Sequence, residues 1–246
     1  MSIQTDKTAL VFVHGYFGGS PQWEAQVAAF SGDFNVITPD LPGFGLNSAL
    51  QAPESITAFA QYVLDQLDQQ AIEQFYLVGH SMGGMIAQEI TRLAPERVAK
   101  LVLYGTGPIG VMPGRFETID QSRERLRTEG VETSARQIAA KWFVGGEQGH
   151  GYTGCADIAA MAGLQAGLAA LTAMEGWSGV DALATINTPT LILWGDQDKS
   201  YLWPLPQQLW QEIPGAALSV VAGCSHAVHL EKPELFNALL GDFLRG

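Results

Sequence analysis

The sequence predicts an α/β fold: a mostly parallel sheet flanked by helices, with a helical cap inserted after the fourth major strand. Three observations predict it. Apolar runs of strand length alternate with amphipathic stretches of helix length. The runs are continuous rather than alternating, as strands covered on both faces require. The rhythm breaks once, between about Gly107 and Asn187. A chain of 246 residues can bury one such core, and α/β folds of this length commonly form a single domain.

In chain order, strands are expected at Thr8 to His14, Phe34 to Pro39, Phe75 to His80, Val98 to Tyr104, Thr190 to Trp194 and Leu218 to Val221. Crossover helices are expected at Pro21 to Phe30, Ile56 to Gln69, Met82 to Leu93, Pro204 to Glu212 and Pro233 to Leu244, each flanked by turn residues or opened by a proline. The interrupting stretch holds Ala-rich helical segments, Glu132 to Phe143 and Ile158 to Met174, with the Gly-rich piece Gly145 to Gly154 between them. An insertion of this size between two strands of one sheet suits a lid better than an independent domain. The expected division is therefore a core of residues 1–106 and 188–246 and a cap of residues 107–187. No repeat, low-complexity tract or linker is found.

Composition narrows the function classes. With 47% hydrophobic and 15% charged residues the chain is too apolar for disorder, and it lacks the uninterrupted apolar run of a membrane helix. A formal charge of -12, from 25 acidic and 13 basic residues, argues against nucleic acid and anionic membranes as partners. The opening MSIQTDKT is polar, with no basic n-region, apolar h-region or small-residue cleavage site, so export is not expected. Cys155 and Cys224 make neither a disulfide framework nor a metal cluster, so a reducing cytoplasm fits best. No residue spacing suggests a metal or an organic cofactor. The expected partner is a small molecule, and the oligomeric state is left open.

The chemistry begins at Gly79-His80-Ser81-Met82-Gly83, which follows an apolar strand and opens an amphipathic helix. A serine on so tight a turn needs strained backbone angles, and Gly79, Gly83 and Gly84 let the turn close. The helix that follows points its positive end at the serine. The segment His14-Gly15-Tyr16-Phe17-Gly18-Gly19 lies just after the first strand, where a second backbone donor for an oxyanion would stand. The expected donors are the N–H groups of Met82 and Tyr16, with Phe17 the nearby alternative. Each such donor contributes about 3 kcal/mol in the transition state. His14 is expected to brace the loop rather than exchange protons.

A serine needs a base, and the base needs a carboxylate that fixes its tautomer. Two loops offer them: Gly195-Asp196-Gln197-Asp198 and Gly223-Cys224-Ser225-His226. Both follow strand ends on the same edge of a parallel sheet, where catalytic groups gather. Asp198 is favoured over Asp196, which sits against the strand end and suits a turn cap. His226 is favoured over His229, which begins the run into the last helix. His80 and His150 are expected to be structural or solvent-facing.

Taken together, HGYFGG, DLPGFG, GHSMGG, WGDQD and GCSHAVHLEKPELFN resemble the α/β-hydrolase superfamily over nearly the whole chain. The resemblance implies Ser81 as nucleophile, Asp198 as acid, His226 as base and Tyr16 and Met82 as oxyanion donors. Serine at the elbow argues against the branches that use aspartate or cysteine there. In the cap, RERLRTEGVETSARQIAAKWF and LAALTAMEGWSGV are similar to 3-oxoadipate enol-lactonases and related lactonases. The usual β-hairpin ahead of the first strand is expected to be shortened or missing, as in some short carboxylesterases of biotin synthesis.

The resulting expectation is a serine hydrolase of a small carboxylic ester or lactone. The alternatives are a carbon–carbon bond hydrolase of a vinylogous diketone and a slow-turnover ligand sensor. Phe17, Trp142, Phe143 and Trp177 are expected beside the substrate, with Met112, Phe116, Met161 and Met174 as further apolar candidates. Arg115, Arg123, Arg127, Arg136 and Lys141 could pair with a substrate carboxylate, although solvated helix charges account for most of them.

Overall fold

The computed structural model describes residues 7–246. The polar opening read above falls mostly outside the described residues. Among the described residues six strands form one sheet: β1 (Ala9–Val13), β2 (Asn35–Ile37), β3 (Phe75–His80), β4 (Val98–Tyr104), β5 (Thr190–Gly195) and β6 (Ala217–Val221), in the spatial order β2-β1-β3-β4-β5-β6. Every pairing is parallel.

Side chains along each strand divide between two apolar layers. Val11, Val13, Leu77, Leu101, Leu103 and Ile192 face one layer. Leu10, Phe12, Val78, Val102, Leu191 and Leu193 face the other. This two-sided burial is why the strand sequences run apolar without alternation. The outer strands β2 and β6 are half-buried or exposed along most of their length, as sheet edges.

The helices that cover the sheet are α1 (Glu24–Phe30), α2 (Ile56–Gln69) and α3 (Met82–Leu93) before β4, and α8 (Pro204–Glu212), α9 (Val228–Glu231) and α10 (Pro233–Arg245) after β5. In α2 the buried Ile56, Phe59, Ala60, Val63, Leu64 and Leu67 recur every three or four residues, and the Ser55 hydroxyl accepts the Ala58 N–H at 3.2 Å to start the helix. Prolines open α8 and α10, where a missing N–H costs nothing.

Between β4 and β5 lie α4 (Ile119–Thr128), α5 (Val131–Ala140), α6 (Tyr152–Ala159) and α7 (Leu164–Glu175). Three details differ from the sequence reading. The stretch Ile158 to Met174 is not one helix: α6 and α7 meet at 97° across residues 160–163, because Gly163 takes an extended conformation and starts a new helix. The segment Glu132 to Phe143 stops being helical at Ala140, and the Trp142 carbonyl instead accepts the Ala227 N–H at 2.9 Å. Helix α4 was not expected, yet Thr118 and Gln121 form a reciprocal capping box at its start. Among the described residues no single helix is long and apolar enough to cross a membrane.

Pairing fixes where the loops emerge. Val13 lies opposite Gly79, His80 opposite Tyr104, Tyr104 opposite Leu193, and Gly195 opposite Val221. The loops after β1, β3, β4, β5 and β6 therefore leave from one edge of the sheet.

Candidate active site

Strand β3 ends at His80 and α3 begins at Met82, so Ser81 makes the turn alone. Its backbone stands at φ 59° and ψ −122°, a region that side chains rarely adopt. The surroundings hold it there. The Ser81 N–H donates to the Tyr104 carbonyl at 3.0 Å, and its own carbonyl accepts from the Gly84 N–H and the Thr106 hydroxyl, both at 2.8 Å. The helix crosses so close to β1 that a Cβ on Gly83 would stand 2.2 Å from the Val13 carbonyl oxygen.

The loop after β1 runs against this serine: a Cβ on Gly15 would lie 2.7 Å from the Ser81 Cβ. His14 braces that loop. Its Nε2 accepts the Leu41 N–H at 3.0 Å and its Nδ1–H donates to the Gly15 carbonyl at 2.8 Å, which fixes a neutral tautomer. Burial lowers its pKa in agreement, against the Gly15 hydrogen bond and the Asp40 charge. Asp40 anchors the far end of the loop by accepting the Ser20 N–H at 2.8 Å and the Ser20 hydroxyl at 2.7 Å. Phe17 takes a left-handed φ of 57°. The Tyr16 hydroxyl donates to the Gly167 carbonyl of α7 at 3.2 Å, which ties this loop to the inserted helices.

His226 and Asp198 meet across two loops. The His226 Nδ1 lies 2.8 Å from Asp198 Oδ2, and both side chains are buried. The other carboxylate oxygen of Asp198 accepts the N–H groups of Ser200 at 2.7 Å and Tyr201 at 3.1 Å. Asp196 points elsewhere and accepts the Gly223 N–H at 2.7 Å at the end of β6.

Beneath His226 sit two more buried histidines. The His226 carbonyl accepts the Tyr104 hydroxyl at 2.8 Å and a His80 Nε2–H at 3.1 Å. His229 has its Nδ1 3.1 Å from the same tyrosine hydroxyl, and its ring centroid is 4.5 Å from that of Trp23. Burial holds His80 neutral, helped by the neighbouring His226 and His229, and depresses His229 to about 3. His150 is exposed, with its Nδ1 3.2 Å from the Leu230 carbonyl. Cys155 and Cys224 are free and buried.

One small cavity, of about 30 Å³, joins these parts. From the core, Ser81, His226, Tyr16, Ser200 and Tyr201 line it; from the insertion, Met112, Arg115, Phe116, Ile138, Trp142 and Met174 do. Of the four residues expected beside the substrate, only Trp142 reaches it. Phe17 is packed behind Tyr16, their ring centroids 4.1 Å apart. Phe143 packs on Gly149 and edges Tyr152. Trp177 lies against Gly179 and next to Gln88 of α3, and Met161 is 45% exposed.

The sequence reading missed Tyr201, Ser200 and Ile138. Tyr201 stacks on His226 with centroids 5.6 Å apart and planes at 11°, and burial raises its phenol to about 12. Its only sequence signal is position, on the loop just beyond Asp198. A larger open depression of about 480 Å³, near Asp68, Ile72, Glu73 and Arg97, sits at the opposite edge of the sheet and holds no nucleophile. Among the described residues no group of three or more His, Cys, Asp or Glu side chains is placed to hold a metal ion.

A profile of the alpha/beta hydrolase family matches residues 10–239, and the chain belongs to that family. It is 27% identical over 246 residues to the esterase YbfF of Escherichia coli K12, covering 94% of this chain and 91% of the esterase. It is 29% identical over 255 residues to the dihydrolipoyllysine-residue acetyltransferase component of the acetoin cleaving system of Cupriavidus necator; 96% of this chain is covered, but it spans only 63% of that longer relative. Among solved structures, the enol-lactonase of Burkholderia xenovorans LB400 superposes with a TM-score of 0.90 at 22% identity, covering 98% of this chain and 92% of that one, which shows the shared fold.

Proposed function

We propose that this member of the α/β hydrolase family is a serine hydrolase that cleaves a small carboxylic ester or lactone through an acyl-enzyme. One observation carries the reading. Ser81, held in a strained turn at a helix N-terminus, opens onto the same cavity as His226, whose far ring nitrogen is hydrogen-bonded to Asp198.

In this reading His226 takes the Ser81 proton as the oxygen attacks the substrate carbonyl, and Asp198 stabilises the imidazolium that results. The Met82 N–H is the first of helix α3 and has no acceptor within the helix, so it is free for the developing oxyanion. The Tyr16 N–H is its partner from the opposite loop. His226 then protonates the leaving oxygen and later activates the water that releases the acid.

Residues 107–187 act as a lid on a core of residues 1–106 and 188–246. At about 30 Å³ the cavity is far smaller than the few hundred Å³ of a typical small-molecule site. Substrate entry therefore displaces part of the wall, and Met112, Arg115 and Phe116 lie on an irregular stretch of it, ahead of α4. Met112, Phe116, Ile138, Trp142 and Met174 give the bound acyl group an apolar wall. The similarity to an esterase along nearly the full chain supports ester cleavage.

The test is steady-state hydrolysis of short p-nitrophenyl esters, a lactone panel and a vinylogous diketone by the wild type and by Ser81→Ala. Ester or lactone turnover is expected to fall at least ~1000-fold in the variant, which keeps its fold. Full rate in Ser81→Ala would sink the assignment, and dominant diketone cleavage would replace it with carbon–carbon hydrolysis.

A further inference from the structure

Five basic residues of the inserted segment could in principle meet a substrate carboxylate, and the structure sorts them. Arg123 is engaged by Asp120 at 2.9 Å and Glu175 at 2.5 Å. Arg136 is engaged by Glu132 at 3.3 Å and Asp157 at 2.9 Å. Arg127 is exposed on α4. Arg115 and Lys141 remain, and neither meets a carboxylate among the described residues.

Arg115 lines the cavity that holds Ser81 and His226, and its Nη1 is buried with no hydrogen-bond partner. A buried guanidinium nitrogen with no protein acceptor is costly, and a carboxylate in the cavity would answer it. Next to it, Phe116 of the cavity wall lies under two cations: the Arg115 Cζ is 5.4 Å and the Lys141 Nζ 4.0 Å from its ring centroid. The nearby Arg125 is answered by Glu117, which also accepts the Ser122 hydroxyl at 2.5 Å, so that carboxylate is already shared. This spot thus carries two formal positive charges in excess, in a chain whose net charge is -12. A small anion repelled by the rest of the surface is attracted here.

Accepting Ser81 and His226 as the reacting pair, we infer that the substrate carries a free carboxylate, held by Arg115 inside the cavity with Lys141 at its side. The ester or lactone carbonyl then lies at Ser81. The substrate class is a monoester of a short dicarboxylic acid, or a lactone bearing a carboxylate. Arg115 is a specificity-determining residue: it fixes which acyl chain enters and where its carbonyl stops.

The experiment compares p-nitrophenyl butyrate with the p-nitrophenyl monoester of glutaric acid, for the wild type, Arg115→Gln and Arg115→Lys, with thermal melts as a check of folding. The wild type is expected to favour the anionic ester. The ratio of kcat/KM for the anionic over the neutral ester falls at least ~10-fold in Arg115→Gln, mainly through KM, and Arg115→Lys recovers part of it. Equal losses on both esters would assign Arg115 to structure and overturn the proposal. So would a wild type that favours the neutral ester.

If neither ester is turned over, it is the hydrolase reading that fails. Calorimetric titration of Ser81→Ala protein with monomethyl glutarate then decides the anion site, since binding needs no turnover. Binding weakened at least ~10-fold by adding Arg115→Gln supports the site. Binding that is absent, or indifferent to Arg115, overturns it.

Discussion

Acidification from pH 7 to pH 5 will destabilise this protein through histidines buried in neutral form. His229 is the clearest case, because burial lowers its pKa from 6.5 to about 3. The unfolded chain binds a proton through this window and the folded chain does not, so stability is complete above pH 6.5 and is lost as pH falls toward 3. At pH 5 the unfolded histidine is almost fully protonated and native His229 almost fully neutral. The difference is about 2 kcal/mol per histidine, since one pKa unit is worth about 1.4 kcal/mol. That figure depends on the unfolded value and hardly on how far below 5 the native value lies. His80 and His14 are shifted the same way by burial and add loss of the same sign. In a domain of this size ~2 kcal/mol lowers Tm by ~4 to 8 °C. Urea unfolding of the wild type and His229→Gln at pH 7 and pH 5 measures it. The variant starts from lower stability but loses less on acidification. Equal stability of the wild type at both pH values, or an unchanged pH dependence in His229→Gln, would refute the reasoning.

Two further outcomes follow from the site. Asp198→Asn keeps an oxygen for the Ser200 and Tyr201 N–H groups but no longer fixes the His226 tautomer; kcat is expected to fall by ~10,000-fold with Tm nearly unchanged, read by ester hydrolysis and a thermal melt. Gly83→Ala forces a methyl to within 2.2 Å of the Val13 carbonyl, so α3 must shift off β1; a loss of ~3 kcal/mol is expected in urea unfolding, and wild-type stability would mean that this contact is looser than described.

The parts of the fold with strong local signals were legible. Helices Met82–Leu93 and Pro204–Glu212 lie where turn residues and an opening proline put them. Edge positions were not: β2 and β6 read as apolar strands, and only their pairing shows that each lies at the rim of the sheet. The Ala-rich insertion was harder. Alanine favours helix but contrasts weakly between faces, so the pattern ran on through residues 160–163, where the chain turns by 97°. Candidate reacting groups stood out because serine, aspartate and histidine on strand-end loops are few. Cavity walls did not, because tertiary contact sets them. Phe143 and Trp142 are neighbours, yet the hydrogen bond from Ala227 to the Trp142 carbonyl leaves Trp142 against His226 and Phe143 facing Tyr152.

The acid-sensitive histidines and the candidate chemistry share one support. His226 stands on a loop whose carbonyl is held from below by the Tyr104 hydroxyl and His80 Nε2, and Tyr104 belongs to β4, the strand whose Tyr104 carbonyl also takes the Ser81 N–H. One residue of the sheet thus fixes both the serine turn and the histidine loop, while Asp198 and Tyr201 hold the imidazole from the side. Protonating His80 or His229 would place a charge beside Tyr104 and Trp23, where neither water nor a carboxylate answers it. The floor that orients His226 therefore fails as a unit with the fold. On acidification the near-UV circular dichroism of the buried Tyr104 and Trp23 cluster is expected to be lost in the same transition as the far-UV helical signal; earlier loss of the near-UV signal alone would overturn this.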